Sequence, residues 1–293
     1  MYKLIRDKYG ILNIEPKPKY NDVLDHYKQN YFQNDSGNYQ KKYSQDEIKN
    51  FVNKAKVYEF LYKKFSNKEL KKVFEPGFGE GFTLDYFYKK QKECFGIDIS
   101  DSGVKTHNLE LFKNANLIFN NFEEKIFFNE KFDLIILDHF LEHVFDVEKT
   151  LKNINKYCHQ DTVIVIFVPN DFNLLQKQYL ENNKIPEIEA PWINAMEHLR
   201  YFSPRSLDNL LNSFNFERVS NFMTDFPIEL YLLNEDTDYY RDKEKGKLAH
   251  KSRITFENLM IGKSISSYID IMESNSKNNI GRNLISVYMT SNK

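Results

Sequence analysis

The chain alternates short apolar runs with segments whose apolar residues recur at helical spacing. The apolar runs predict strands at 72–75, 93–98, 116–119, 132–138, 162–168 and 216–222, with a closing strand at 283–290. The helical spacing predicts helices at 82–90, 104–112, 147–157 and 204–214. Such alternation is typical of an α/β protein with a mostly parallel sheet. The uninterrupted apolar run at 132–138 indicates a strand that is covered on both faces.

Three segments lie outside this alternation. Residues 1–45 are polar and aromatic without a clear period, and we expect them to form an N-terminal arm or a lid. Ser44 with Glu47 three residues later is a capping-box pattern, which predicts a helix from residue 46 onwards. Residues 171–203 are irregular, and residues 223–280 are a long insertion with predicted helices at 247–259 and 265–272.

Composition narrows the class of partner. Among 293 residues, 41 Lys and Arg balance 42 Asp and Glu, and a net charge of −1 argues against a nucleic-acid partner. Two cysteines are too few for a disulfide framework and fit a reducing compartment. The N-terminus has no apolar run after its charged residues, and no window has the length and apolarity of a membrane helix. We therefore expect a cytoplasmic protein with no membrane partner.

The candidate chemistry begins at a glycine-rich turn. Glu75-Pro-Gly77-Phe78-Gly79-Glu-Gly81 follows the first predicted strand and precedes the first predicted helix of the sheet. Glycine adopts positive φ without strain and lets a ligand approach the backbone. Asp98 ends the second strand, and its carboxylate can accept hydrogen bonds from both hydroxyls of a ribose. Because ligands of doubly wound sheets bind beyond the carboxyl ends of the strands, the two features predict a nucleoside site.

The glycine spacing distinguishes between nucleoside ligands. A dinucleotide fingerprint is G-x-G-x-x-G, but here the third glycine comes one residue early, at Gly81. The set from Glu75 to Gly81 resembles the first motif of class I S-adenosylmethionine-dependent methyltransferases. The resemblance implies a doubly wound, Rossmann-like, seven-stranded and mostly parallel sheet with helices on both faces. It also implies a set of residues that bind S-adenosylmethionine: Glu75, Gly77, Phe78, Gly79, Gly81, Asp98, Ile99, Asn121, Phe122 and Asp138.

The segment after the fourth strand narrows the resemblance. Leu141-Glu142-His143-Val144 is similar to the hallmark of the branch that contains the ubiquinone-pathway O-methyltransferases. Residues 226–229 and 253–257 resemble relatives placed in surface-sugar or capsule modification. The resemblance implies O-methylation of a small-molecule acceptor, such as a sugar or nucleotide-linked sugar, by a monomer or homodimer. We expect one methyltransferase domain over residues 1–293, with a core at about 46–222 plus 283–290 and with both insertions forming the acceptor side.

Two histidines are candidates for the base that removes a proton from an acceptor hydroxyl. His139 follows the fourth strand, and His198 lies in the irregular segment. The unperturbed pKa of histidine, near 6.5, suits that role at neutral pH. If helical, His139, Glu142 and His143 would share a face that can bind a divalent cation. We favour a structural role for that spacing and predict no metal.

Other functions remain open at this point. An N-methyltransferase would need no base, so its activity would survive the loss of both histidines. A dehydrogenase would bind NAD in place of S-adenosylmethionine, but Phe82 stands where the dinucleotide pattern requires glycine. A non-catalytic subunit would bind the cofactor without transferring a methyl group.

Overall fold

A computed structural model describes residues 2–26, 42–225 and 243–291. Ten strands form two sheets in these ranges: β1 (Lys3–Arg6), β2 (Leu12–Glu15), β3 (Lys72–Pro76), β4 (Glu93–Asp98), β5 (Asn116–Phe119), β6 (Phe132–Asp138), β7 (Cys158–Pro169), β8 (Arg200–Tyr201), β9 (Phe216–Thr224) and β10 (Asn283–Thr290). The large sheet has seven strands in the order β5-β4-β3-β6-β7-β10-β9. Strands β3 to β7 pair in parallel, and β10 runs antiparallel to both of its neighbours.

The helices connect these strands. They are α1 (Tyr20–His26), α2 (Gln45–Phe65), α3 (Phe82–Lys89), α4 (Ser102–His107), α5 (Leu109–Asn114), α6 (Val147–Lys156), α7 (Leu174–Asn183), α8 (Pro204–Asn212), α9 (Lys243–Lys263) and α10 (Ile265–Asn278). A short 3₁₀ helix spans Glu187–Glu189. The capping box of Ser44 and Glu47 starts α2, as the sequence predicts. Ser203 likewise caps α8, with Pro204 in its first turn.

The predicted doubly wound sheet is confirmed by the burial on its two faces. Successive residues of β6 point to opposite faces, so Ile135 and Leu137 belong to one buried cluster and Leu134 and Ile136 to the other. Helices α6 and α8 pack on the first face. Helices α2, α3 and α10 pack on the second. The central strands are therefore buried on both sides, which explains their continuous apolar runs.

The local structure differs from what the sequence pattern showed in three places. Residues 3–6 and 12–15 form a hairpin that pairs with β8, because short edge strands carry too little periodicity to be seen in the sequence. Helix α7 lies inside the segment 171–203, and its N-cap Asn173 forms a capping box with Gln176. The predicted helix at 104–112 is two helices that break at Asn108.

Some sequence features fall outside the described residues. These are the segments 27–41 and 226–242, which include the capsule-like residues 226–229. Within the ranges that the structure does describe, no helix is both long and apolar enough to cross a bilayer.

Candidate active site

The glycine turn between β3 and α3 has the backbone that the sequence predicts. Gly77, Gly79 and Gly81 have φ values of 72°, 54° and 75°, a region that side chains with a Cβ rarely enter. A Cβ on Gly77 would lie 2.7 Å from the ring of Phe140, which follows β6. The turn is therefore built for glycine by conformation, and at Gly77 also by close packing.

Asp98 holds this turn from the neighbouring strand. Its carboxylate accepts hydrogen bonds from the backbone N–H of Gly79 at 2.9 Å and of Ser100 at 3.0 Å. The side chain is 7% exposed. Burial raises the pKa of Asp98, the backbone hydrogen bonds oppose that effect, and the resulting pKa is about 6. The carboxylate is thus ionised at neutral pH but is easier to protonate than an exposed aspartate.

More acidic groups surround the turn. Glu75, Glu80 and Asp138 are all at least nine-tenths buried. Oε2 of Glu75 and Oδ1 of Asp138 have no hydrogen-bond partner among the described residues. Burial, followed by the charge of Asp138, raises the pKa of Glu75 well above its usual range. Burial also raises the pKa of Glu80 to about 7, although the hydroxyl of Tyr43 donates to it. The turn therefore lies in a strongly acidic environment.

Helix α2 contributes a cation to this environment. Lys54 pairs with Oδ2 of Asp138 at 2.8 Å, and the hydroxyl of Tyr58 donates to the same oxygen at 3.0 Å. Sequence analysis missed both residues. Lys54 and Tyr58 are spaced i, i+4 on one face of a capped helix, and this spacing is the signal that their side chains could contact the same group.

A cavity of about 400 Å³ opens above the turn. Its lining brings together seven of the residues predicted from the sequence: Glu75, Gly77, Phe78, Gly81, Asp138, His139 and His198. The backbone N–H of Gly79, in the same turn, donates to Asp98. The structure thus places the glycine turn, the end of β6 and both candidate bases around one space.

The other predicted residues lie beside this cavity and do not line it. Asp98 and Ile99 lie at the end of β4, and the side chain of Ile99 is 41% exposed. The side chain of Asn121 hydrogen-bonds Tyr20 of α1 and the backbone N–H of Glu123. Phe122 is 4% exposed and packs on aromatic rings of the core. Phe122 therefore contributes to the core in this structure.

His139 follows β6 directly and has a φ of 47°, which is uncommon for a residue with a side chain. Its Nδ1 lies 3.0 Å from Oε1 of Glu142, whose side chain is 1% exposed. Desolvation acts to lower the pKa of His139, although 41% of its side chain is exposed, and the hydrogen bond and charge of Glu142 outweigh this effect and raise that pKa. Burial opposes ionisation of Glu142, but His139 and the other nearby histidines bring its pKa down to about 2. The pair is an ionised carboxylate that orients an imidazole.

His143 and His198 lie on the other side of Glu142. Nδ1 of His143 is 2.8 Å from the carbonyl of Glu197, and the rings of His143 and His198 are 4.9 Å apart. Burial lowers the pKa of His143 to about 4, and it also lowers the pKa of His198. Glu142, His143 and His198 place ligand atoms within 4.8 Å of one another, a set that can hold a divalent cation. This set differs from the one considered from the sequence, because His198 takes the place of His139.

Arg200 fixes the segment that carries these groups. Its guanidinium is 2% exposed and donates to the backbone carbonyls of Leu141, Val144 and Phe145. A single arginine from β8 thereby satisfies three carbonyls of the turn after β6. Sequence analysis missed this role, and an arginine inside the apolar run from 199 to 202 is the signal that could have shown it.

The sheet order and the site at the carboxyl ends of β3, β4 and β6 define a Rossmann-like protein that binds a nucleoside-type ligand. A family model described as "Methyltransferase domain" matches residues 42–221, which is more than half of the chain. The chain belongs to this family. The predicted enzyme class, an S-adenosylmethionine-dependent methyltransferase, is confirmed, and the dehydrogenase alternative is set aside.

Solved structures show the same fold. One is the Burkholderia thailandensis 1,6-didemethyltoxoflavin-N1-methyltransferase with bound 1,6-didemethyltoxoflavin and S-adenosylhomocysteine, at a TM-score of 0.56, 12% identity and 99% coverage of each chain. Another is a plantazolicin methyltransferase in complex with S-adenosylhomocysteine, at a TM-score of 0.51 and 13% identity, with 94% of this chain and 91% of that chain covered. A methyltransferase from Archaeoglobus fulgidus scores 0.50 at 18% identity, covering 93% and 100%. No curated protein sequence matches the chain significantly.

Proposed function

We propose that this methyltransferase transfers the methyl group of S-adenosylmethionine to a hydroxyl of a small polar acceptor, with His139 as the base. The observation that carries the proposal is the pair of His139 and Glu142 at the end of β6. His139 lines the cavity that the glycine turn also lines, and the buried Glu142 orients it from behind.

The residues around the turn fit the proposed donor. S-adenosylmethionine carries an ammonium and a sulfonium, and the turn is surrounded by buried acids, with oxygens on Glu75 and Asp138 that lack a partner among the described residues. A cation bound there would compensate charges that burial now disfavours. Gly77, Gly79 and Gly81 let the ligand approach the backbone. We assign Asp98 to the ribose hydroxyls and Ile99 and Asn121 to the adenine side, which Phe122 supports from the core.

The proposed chemistry needs little from the protein besides position and proton removal. The donor supplies an electrophilic methyl group. His139 would accept the proton of the acceptor hydroxyl at Nε2, since Nδ1 faces Glu142. A positioned base typically contributes about 10²–10⁴-fold to the rate. His198 is the second candidate, because it lines the same cavity and its Nδ1 has no partner among the described residues.

The acceptor side is proposed to come from the insertions. His198 belongs to the segment 171–203, and residues of α9 and α10 line a second cavity beside His139. A discrete space of this kind suits a small molecule better than a polymer. Together with the resemblance at residues 253–257, this supports a sugar or nucleotide-linked sugar of surface polysaccharide synthesis as the acceptor class.

Methyl transfer from labelled S-adenosylmethionine to a panel of sugars, nucleotide-linked sugars and small amines tests the proposal. We expect transfer to a hydroxylated acceptor, and we expect His139→Ala to reduce kcat about 10²-fold or more with unchanged donor affinity. Ser102→Ala, an exposed change at the start of α4, is the control. Transfer only to amines, with full activity in His139→Ala, would instead establish an N-methyltransferase.

A further inference from the structure

A second cavity of about 170 Å³ adjoins the cavity of about 400 Å³ above the glycine turn, which we call the donor cavity. The two share Asn50, Lys54 and His139 in their linings. The far wall comes from the end of β9 and from helices α9 and α10: Thr224, Asp225, Glu257 and Tyr268. The second cavity therefore offers an acceptor another approach to His139, past walls that do not include the glycine turn.

Two carboxylates dominate this far wall. Glu257 is 7% exposed, and its Oε1 accepts the backbone N–H of Asp225 at 3.3 Å. Its Oε2 accepts the hydroxyl of Tyr268, and Oδ2 of Asp225 accepts the side-chain amide of Asn283. These neutral donors fix both carboxylates in place without neutralising them.

The pair lacks a compensating cation within the described ranges. Among residues 2–26, 42–225 and 243–291, no lysine, arginine or histidine forms an ion pair with Asp225 or Glu257. The lysine in the lining, Lys54, pairs with Asp138 instead. Burial, followed by the charge of Asp225, raises the pKa of Glu257 well above its usual range. Glu257, buried beside Asp225, thus carries an electrostatic cost that a bound cation would relieve.

A separate polar group also points to a ligand. Thr224 is 5% exposed and belongs to the lining of this cavity, and its buried Oγ1 has no hydrogen-bond partner in the part of the chain that the structure describes. Buried hydroxyls are rarely left unpaired, because the lost hydrogen bond costs roughly 1–3 kcal/mol. Thr224 offers an acceptor to an N–H donor beside the two carboxylates.

We propose that Asp225, Glu257 and Thr224 bind a protonated amino group of the acceptor, which anchors it while a hydroxyl elsewhere on the same molecule faces His139. The inference rests on the proposed function, because it concerns the acceptor of that reaction. A protonated amine has no free electron pair, so the anchored nitrogen is not the atom that is methylated. The acceptor class is therefore an amine-bearing polyhydroxyl compound, such as an amino sugar or an aminoalkyl glycoside.

A matched pair of probes tests the anchor. 2-Aminoethyl glucoside and 2-hydroxyethyl glucoside differ in one group, and an aliphatic amine is protonated at about pH 7.5. Each is titrated by calorimetry into the full chain saturated with S-adenosylhomocysteine. We expect the amine to bind about tenfold or more tightly than the alcohol, and we expect Glu257→Gln and Asp225→Asn each to remove most of that preference. Glu273→Gln, an acid of α10 that pairs with Lys64 away from the cavity, is the matched control.

The titration separates two failures. If S-adenosylhomocysteine does not bind, the donor half of the proposed function is wrong. If it binds but the amine has no advantage over the alcohol, or neither probe binds, the anchor is wrong and the donor site stands. An advantage that survives in both Glu257→Gln and Asp225→Asn also overturns the anchor. Circular dichroism of each variant shows whether it is folded.

Discussion

Replacing Asp98 with asparagine tests two effects of its carboxylate. The buried charge lowers the stability of the fold, and the same charge is proposed to strengthen the binding of S-adenosylmethionine. The carboxylate is buried, and its pKa of about 6 compares with an ordinary value of 3.8. At about 1.36 kcal/mol for each pKa unit, keeping it ionised at neutral pH costs the folded state about 3 kcal/mol. The amide of the Asp98→Asn variant removes that charge with almost no change in shape.

The same substitution removes one hydrogen bond. Asp98 uses two oxygens for the N–H groups of Gly79 and Ser100, whereas an asparagine has one acceptor oxygen. A hydrogen bond to a charged group contributes about 1.5–3 kcal/mol. The two effects offset each other, so we expect the free energy of unfolding of the ligand-free protein to change by less than about 2 kcal/mol. Donor affinity should nevertheless fall by about tenfold or more, since the ribose hydroxyls lose a charged acceptor.

Calorimetric titration with S-adenosylhomocysteine gives the dissociation constant, and urea unfolding of the ligand-free protein gives the free energy of unfolding. Asp101→Asn, the same change three residues further on at a more exposed site, should leave both unchanged. An unchanged dissociation constant in Asp98→Asn would refute the ribose assignment. Destabilisation well beyond about 2 kcal/mol would show that the carboxylate serves mainly to hold the glycine turn.

Three further predictions concern the rest of the site. Glu142→Gln should move the acidic limb of the kcat–pH profile to lower pH, because this variant lacks the carboxylate that raises the pKa of His139. A limb that stays in place would exclude His139 as the base. The ligand-free protein should melt at a higher temperature at about pH 5.5 than at about pH 7.5, since the raised folded pKa values of Glu80, Asp98 and Asp171 (about 7, about 6 and about 7) outweigh the lowered pKa of His143 (about 4), which acts in the opposite direction. In that window the folded state keeps protons that the unfolded state has lost, so stability falls as the pH rises; saturating S-adenosylhomocysteine should reduce the difference, and a lower melting temperature at about pH 5.5 would contradict these pKa values. Arg200→Met should lower the free energy of unfolding, measured in urea, by about 3 kcal/mol or more, because it leaves buried carbonyls unpaired. Arg200→Lys should restore only part of that stability. A loss below about 1 kcal/mol in Arg200→Met would show that those carbonyls find other partners.

The sheet could be read from the sequence because its signals are local. Continuous apolar runs mark β6 and β7, and capping residues mark the starts of α2 and α8. The glycine turn was equally predictable, since three glycines at alternate positions after a strand are typical of a tight turn with positive φ. Strand β1 gave no such signal, because four residues at the edge of a small sheet carry almost no pattern.

Part of the site could not be read in this way. The roles of Lys54, Tyr58 and Arg200 depend on partners 55 to 84 residues away in the chain, and no local pattern identifies such partners. The sequence suggested that His139, Glu142 and His143 share a helical face, but these residues form no helix and His139 has a positive φ. The residues that could hold a cation are Glu142, His143 and His198.

The sequence alone therefore determined the fold class, the position of the glycine turn and the enzyme class, because each follows from residues that are close together in the chain. Tertiary structure decided how the buried charges are paired. It placed Glu257 beside Asp225 and left Thr224 next to them with no partner among the described residues, in a cavity that reaches His139. Burial and charge pairing are properties of the packed chain, and they arise only when distant segments meet.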